Sequence, residues 1–378
     1  MRCVIETHIA LIAAYWMYPE VASEYPVLLS EKGYEVTSLI WNGGSRETRT
    51  QRVTDRYTVF QLPGINFYPP LSSPRGKYPY LFGLAQLMRK LHPSIVDCQS
   101  HLFLTTVQAI RIASKLGIPT VVTVHGVIAE RGRSMNLLQR GYLSGVASWI
   151  FKKATVVRCL TRSDLQEITR YGCPVEKVKV VPNAVDTEFF RPSVREEDRM
   201  IVWAGRFVPE KGLEYLVNAA RIVSSQHTDA VFTLIGEGNM KPRIEALIEK
   251  ACLSGRFLLP GSLSRRDLLK MFQRASVFAF PSLKEGMPYS LLEAMSCGKA
   301  IVGSDIPGIN DVVTHGYDGL LVPPRDGKAI AQAISTLMHD RHLRTTLGRN
   351  ARKTVVEKHD WGIILRRLED VYQEACNK

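Results

Sequence analysis

Short apolar runs rich in Val, Ile and Phe alternate with longer stretches of helical spacing along most of the 378 residues, and no other feature restricts the fold as much. Runs at residues 9–14, 35–40, 95–97, 119–124 and 155–160 read as strands, with helical patterns between them. After a break the alternation resumes at 200–204, 230–235, 256–259, 276–280 and 300–303. Strands that are apolar throughout and followed by helices belong to parallel sheets covered on both faces. The expected class is α/β, with two doubly wound Rossmann-like domains whose ligands lie outside the carboxyl ends of the strands.

The join is expected where Pro182, Pro192 and the charged run 195–199 interrupt the pattern. The first domain is drawn as residues 1–190 and the second as 191–360, with a last helix over 361–378 from the spacing of Ile364, Leu368 and Val371. Two stretches of the first half read as irregular: the polar, basic residues 42–56, and residues 63–79, rich in Pro and Tyr. Long loops in compact domains serve function about as often as decoration.

A hydrophobic fraction of 45% and a charged fraction of 22% describe a folded globular chain rather than a disordered one. Seven scattered cysteines without a CxxC pair point to neither a disulfide framework nor a zinc site, and a reducing cytoplasm is expected. The apolar run 9–18 is about half a membrane span and reads as a first strand rather than a leader. The formal charge of +13, divided as +8 in residues 1–190 and +5 beyond, suits anionic partners: nucleotides, phosphorylated acceptors or an anionic membrane surface. Nucleic acid is not among the expected partners. Between residues 131 and 153, Arg140, Lys152 and Lys153 interleave with Tyr142, Trp149 and Phe151, which suits peripheral contact at the inner face of a membrane. A buried helix with a solvated face accounts for the same residues.

Two segments carry chemistry. Residues 203–213, WAGRFVPEKGL, put Gly205, Arg206, Lys211 and Gly212 in a strand-to-helix turn, where Gly205 permits close backbone approach and the two cations offer a fork and a point charge to a diphosphate. A solvated basic loop is the plainer account of that pair alone. Residues 280–295, FPSLKEGMPYSLLEAM, again leave a strand and enter a helix, with Pro288 suited to its first position, Glu285 in the loop and Glu293 within the helix. An ionised carboxylate accepts two hydrogen bonds from a vicinal diol, so these glutamates suit sugar hydroxyls; a helix-dipole glutamate and a surface glutamate are the plainer account. Cations for diphosphate beside carboxylates for ribose and hexose describe a nucleotide-sugar cleft. No DxD motif is present to hold a divalent ion, so a metal-independent reaction without a cofactor is expected.

The segments GRFVPEKG and EGMPYSLLEAMSCGKAIVGSDIPGINDVV resemble the retaining glycosyltransferases of the group-one family (family 4), which have the GT-B fold. VVPNAVDTEFFRP at Val181, LIGEGNMKPRIE at Leu234, DGLLVPPRD at Asp318 and GYEVTSLIW at Gly33 extend the likeness over nearly the whole chain. The resemblance implies two domains facing across a cleft, and a final helix that returns to the N-terminal, acceptor-side domain. It implies a nucleotide-sugar donor, a glycan, lipid or small-molecule acceptor, and retention of anomeric configuration. Arg206 and Lys211 match residues that bind the donor diphosphate, Glu293 a ribose ligand and Glu285 a residue near the donor sugar. Gly286, Met287 and Leu291 match backbone lining the sugar and phosphate, and His125 matches a histidine that reaches the donor sugar.

Three departures stand out. Where the family often has a glycine pair after the first strand, PEVASEY places Ala22 and Ser23, whose Cβ atoms restrict close approach to a phosphate. NAVD replaces the usual NGVD, and IND stands where a glutamate often follows Gly308. A nucleotide-sugar 2-epimerase of the same architecture and a binding homologue without turnover are the competing readings. A dinucleotide-dependent dehydrogenase is disfavoured, since no GxGxxG opens either domain.

Overall fold

The computed structural model describes residues 7–12, 19–67, 78–127, 133–193 and 199–378, with backbone alone for 19–23 and 133–136. The charged run 195–198, the side chains of Ala22 and Ser23, and most of the Pro- and Tyr-rich stretch lie outside this set. The chain divides into two compact units, Met1–Val181 with Leu365–Lys378, and Pro182–Ile364.

In the first unit the strands are β1 (His8–Ile12), β2 (Glu35–Trp41), β3 (Arg49–Thr54), β4 (Tyr57–Leu62), β5 (Gly64–Phe67), β6 (Tyr78–Leu81), β7 (Ile95–Cys98), β8 (Thr120–Val124), β9 (Val156–Cys159) and β10 (Val178–Val180). Its helices are α1 (Pro19–Glu31), α2 (Leu84–Leu91), α3 (Leu104–Leu116), α4 (Arg133–Tyr142), α5 (Ser148–Lys153) and α6 (Arg162–Arg170). Eight strands form one sheet in the order β10-β9-β8-β7-β1-β2-β4-β3, parallel except for β3. The central strands are buried along their length, as β7 and β8 show, which is why they read as unbroken apolar runs.

Two expectations change here. Residues 42–56 are not wholly irregular, because β3 runs antiparallel to β4 at the sheet edge. Its first five residues are exposed, so no burial pattern marks it in the sequence. The second irregular stretch contains a separate two-stranded ribbon, β5 with β6.

The second unit contains β11 (Met200–Ala204), β12 (Val231–Ile235), β13 (Phe257–Gly261), β14 (Val277–Phe280), β15 (Ala300–Ser304) and β16 (Leu320–Val322). Its helices are α7 (Leu213–Gln226), α8 (Lys241–Lys250), α9 (Arg265–Arg274), α10 (Tyr289–Ser296), α11 (Gly327–His339) and α12 (Arg341–Lys358), followed by α13 (Trp361–Cys376). The sheet order is β13-β12-β11-β14-β15-β16, all parallel. Strand order reverses between β11 and β14, and a crevice at such a switch point is where doubly wound sheets bind ligands.

From Leu365 onward α13 belongs to the first unit. Tyr372 Oη donates to Asp97 Oδ2 at 2.7 Å, and Lys32–Glu369 and Lys179–Glu374 ion pairs flank it at 2.9 and 2.6 Å. The unit boundary falls at 181–182 rather than at 190. Residues 182–190 are tied to the second unit: Asn183 Nδ2 donates to the Met287 carbonyl at 2.9 Å, and Arg352 donates to the carbonyls of Thr187, Phe190 and Ser296. The basic and aromatic stretch 131–153 turns its rings inward. Phe151 is fully buried, Trp149 packs on the core beneath Arg111, and Tyr142 Oη donates to the His101 carbonyl at 2.7 Å.

Candidate active site

The two chemistry-bearing segments of the sequence leave β11 and β14, the adjacent parallel strands of the switch point. Aromatic packing fixes where each loop departs. Trp203 and Phe207 meet edge to face at 5.2 Å across the start of the first loop, and Phe278 stacks on Phe280 at 5.5 Å at the end of β14.

The loops then pack directly on each other. Leu283 N–H donates to the Glu210 carbonyl at 2.8 Å. Gly212 sits in the left-handed region at φ 60°, and a Cβ there would collide with the Pro281 carbonyl, so only glycine closes this contact. Gly308, at φ 85°, likewise lets its backbone reach the carbonyl of Gly286; its N–H donates to Asp311 Oδ2 at 2.9 Å. Asp311, the residue of IND, therefore closes that turn.

Lys211 Nζ lies 2.5 Å from Glu285 Oε1, with the side chains only 14% and 8% exposed. The ammonium also stands 5.1 Å from the centre of the Phe280 ring, whose negative face attracts it. Glu285 thus neutralises the sheltered cation. Arg206 differs: it is exposed and, among the described residues, its guanidinium has no ion pair or hydrogen bond. Two cations of unlike status therefore share one turn, one paired and sheltered, the other open.

The second loop enters α10 through Pro288, which is the cap residue rather than the first helical one, at φ −75° and ψ 129°. Glu293 falls on the second turn of α10 and is 6% exposed. The Leu291 side chain is fully buried, so that residue offers only backbone to a ligand. Met287 is held by Asn183, whose backbone N–H approaches its sulfur at 3.2 Å while the side-chain amide takes its carbonyl; His359 Nδ1 lies 3.1 Å from the Asn183 carbonyl. The NAVD segment carries this positioning role, which spacing alone did not reveal.

His125 follows β8 in the first unit, beside Arg158 on β9, whose Nε donates to the Val181 carbonyl at 3.0 Å. Burial, then the Arg158 charge, pushes its imidazole down to about 4, so the ring is neutral at physiological pH. Asp97 at the end of β7 is 1% exposed and accepts from Tyr25 and Tyr372; burial pushes it up to about 7, against the pull of Arg158. Ala22 and Ser23 lie inside α1, where the backbone is helical and no left-handed turn is made.

Among the described residues no helix is long and apolar enough to cross a membrane. Comparison with known proteins agrees with this geometry. Residues 185–354 match the family described as Glycosyl transferases group 1, and residues 28–189 match Glycosyltransferase Family 4. An uncharacterised glycosyltransferase of Methanocaldococcus jannaschii is 26% identical over 343 residues, 83% of this chain and 86% of that protein. The UDP-Gal:alpha-D-GlcNAc-diphosphoundecaprenol alpha-1,3-galactosyltransferase of Escherichia coli is 30% identical over 285 residues, 69% of this chain and 71% of the relative. In fold, the sucrose-phosphate synthase of Thermosynechococcus elongatus superposes with a TM-score of 0.82 at 19% identity, covering 97% of this chain and 98% of its own. The switch-point site, the two family matches and this likeness in fold lead to one assignment: the chain belongs to the group 1 glycosyltransferases and has the GT-B fold.

Proposed function

We propose that this enzyme transfers a hexose from a nucleoside-diphosphate sugar to a hydroxyl acceptor, with retention of anomeric configuration and without a metal. The observation that carries the reading is the packing of a cationic turn on a glutamate loop at the switch point, with Lys211 and Glu285 in contact. Arg206, open to solvent, meets the incoming diphosphate first. Lys211 exchanges part of its pairing with Glu285 for a phosphate oxygen, which frees Glu285 to accept from hexose hydroxyls. Glu293 accepts from the ribose diol, and the backbone at Gly205, Gly286, Met287 and Leu291 lines the sugar and phosphates. His125, neutral at working pH, contacts the hexose without serving as its base.

No side chain here is assigned as a nucleophile. The bond from the anomeric carbon to the diphosphate breaks as an oxocarbenium-like sugar forms. The acceptor oxygen then bonds to that carbon from the same face, and its proton passes to the departing phosphate oxygen. The cations act on charge that grows in the transition state, which is where binding accelerates a reaction. Arg206→Ala is expected to lower kcat by about 10² to 10³, the scale for losing one preorganised charge stabiliser. Chelation of divalent ions is expected to leave the rate unchanged.

The acceptor is proposed as a glycan, lipid or small molecule. The Escherichia coli relative's name specifies a sugar on diphosphoundecaprenol, so a lipid-diphosphate sugar is the first acceptor to try. Proton NMR of the first glycoside formed from an α-linked donor tests the mechanism: an α product is expected, and a β product overturns it.

A further inference from the structure

The ribbon of β5 and β6 is apolar on its outward face. Pro79 and Leu81 turn inward and are buried, whereas Ile65, Phe67 and Tyr80 alternate with them and are 52%, 51% and 43% exposed. Ile65 pairs directly with Tyr80, so their side chains share the outer face. Phe82 continues that face, 46% exposed, its ring 6.2 Å from that of Tyr80. A two-stranded ribbon normally turns polar residues to water, and a contiguous outward apolar face calls for an occupant.

Beside this face lies a groove of about 530 Å³ between the ribbon, α2 and α3, lined by Tyr80, Phe82, Val107, Arg89, Arg111 and Lys115 among others, with no acidic residue in its wall. From residue 78 to 127 the chain carries four Lys and Arg and a single acid, Asp97, which is buried. Arg111 leans on Trp149 at 5.4 Å. Arg89, Lys90 and Lys115 are exposed and, among the described residues, have no ion-pair partner. Uncompensated cations rimming exposed aromatic and aliphatic side chains complement anionic headgroups over acyl chains. A soluble polyanion would answer the charges but leave Ile65, Phe67 and Phe82 in water.

We propose that this face of the first unit docks on an anionic lipid bilayer, with Ile65, Phe67, Tyr80 and Phe82 entering the interface and Arg89, Lys90 and Lys115 meeting the headgroups.

Co-sedimentation of the full chain with vesicles of phosphatidylcholine, alone or mixed with phosphatidylglycerol, tests it at low and high salt. Binding is expected only to the mixed vesicles and is expected to weaken with salt. Arg89→Gln/Lys90→Gln/Lys115→Gln should lose affinity on the order of 10²-fold, about fivefold per basic residue at an anionic surface. Tyr80→Ser/Phe82→Ser should lose about tenfold or more at either salt. Unchanged thermal unfolding and nucleotide affinity in both variants would show that each still folds and keeps its donor site. Absence of binding, equal binding to both vesicles, or binding untouched by either variant overturns the proposal. Binding lost with the cations but intact after Tyr80→Ser/Phe82→Ser overturns it in favour of a soluble polyanion.

Discussion

Lys211 is a sheltered cation that the fold tolerates because Glu285 lies against it, and the pair therefore has a stability role beside the donor-binding role proposed for it. Truncating one partner strands the other charge away from water. Lys211→Ala is expected to lower folding stability by about 1–3 kcal/mol, the cost of an unsatisfied buried group. Adding Glu285→Gln should restore part of it, because an amide bears desolvation better than a lone carboxylate. Chemical denaturation of the single and double variants checks this; a double variant less stable than the single one contradicts it. The same Lys211→Ala change is expected to weaken nucleoside diphosphate binding by roughly 1.5–3 kcal/mol, as for a hydrogen bond to a charged group, and titration calorimetry reads it directly. Arg206→Ala, by contrast, should leave stability within about ±0.5 kcal/mol, since Arg206 is exposed and makes no side-chain bond among the described residues. Much of the site geometry was legible at this scale: glycine, cation and carboxylate types in strand-to-helix turns identify loops that the structure packs together. Contacts made through backbone were not legible. Nothing in the letters N-A-V-D says that Asn183 holds the carbonyl of Met287 more than a hundred residues away.

At the scale of elements, the ten strands first read from apolar runs all appear, because burial on both faces of most of them writes itself into composition; the edge strand β13, with Leu258 exposed, is apolar without that burial. The edge strand β3 and the ribbon β5–β6 were not readable: one is exposed over most of its length, and the other turns Ile65, Phe67 and Tyr80 toward solvent. The seam of α13 with the first unit holds a titratable group whose effect has a definite sign. Asp97, receiving Tyr372 of α13, is raised from an ordinary 3.8 to about 7, so its contribution is complete below pH 4 and is lost as pH rises through 7. His125 runs the other way. Its lowered value of about 4 means stability that is present above 6.5 and lost as pH falls through 4. The two slopes oppose each other over one window, and the wild-type curve between pH 4 and 7 should be shallow. Asp97→Asn removes one of them and keeps an acceptor for Tyr372. Its stability is expected to fall toward acid by about 2–3 kcal/mol across that window, since a proton that only the unfolded histidine binds costs roughly 1.4 kcal/mol per pH unit. Urea titrations at several pH values measure it, and a variant as flat as the wild type contradicts the assignment.

For the whole molecule, each unit has its own sheet and core, while α13 carries the chain from the second unit back to the first. Multidomain chains of this kind need not unfold in one step. The diphosphate-binding loops proposed here lie wholly within Pro182–Ile364. A nucleoside diphosphate should therefore stabilise that unit alone, by about 2.7 kcal/mol at a hundred times its dissociation constant. For a unit of this size that amounts to a rise of about 5–10 °C in one calorimetric transition, with the other unmoved. Arg206→Ala/Lys211→Ala should abolish the rise without lowering the unshifted transition. Removing residues 365–378 should do the reverse: it deletes the Tyr372, Glu369 and Glu374 contacts, lowers the transition of the first unit and leaves the nucleotide-dependent rise in place. Differential scanning calorimetry of the three proteins, with and without nucleotide, separates these outcomes. One cooperative transition that nucleotide moves as a whole, or a rise that disappears with residues 365–378, would show that donor binding draws on both units rather than on the second alone.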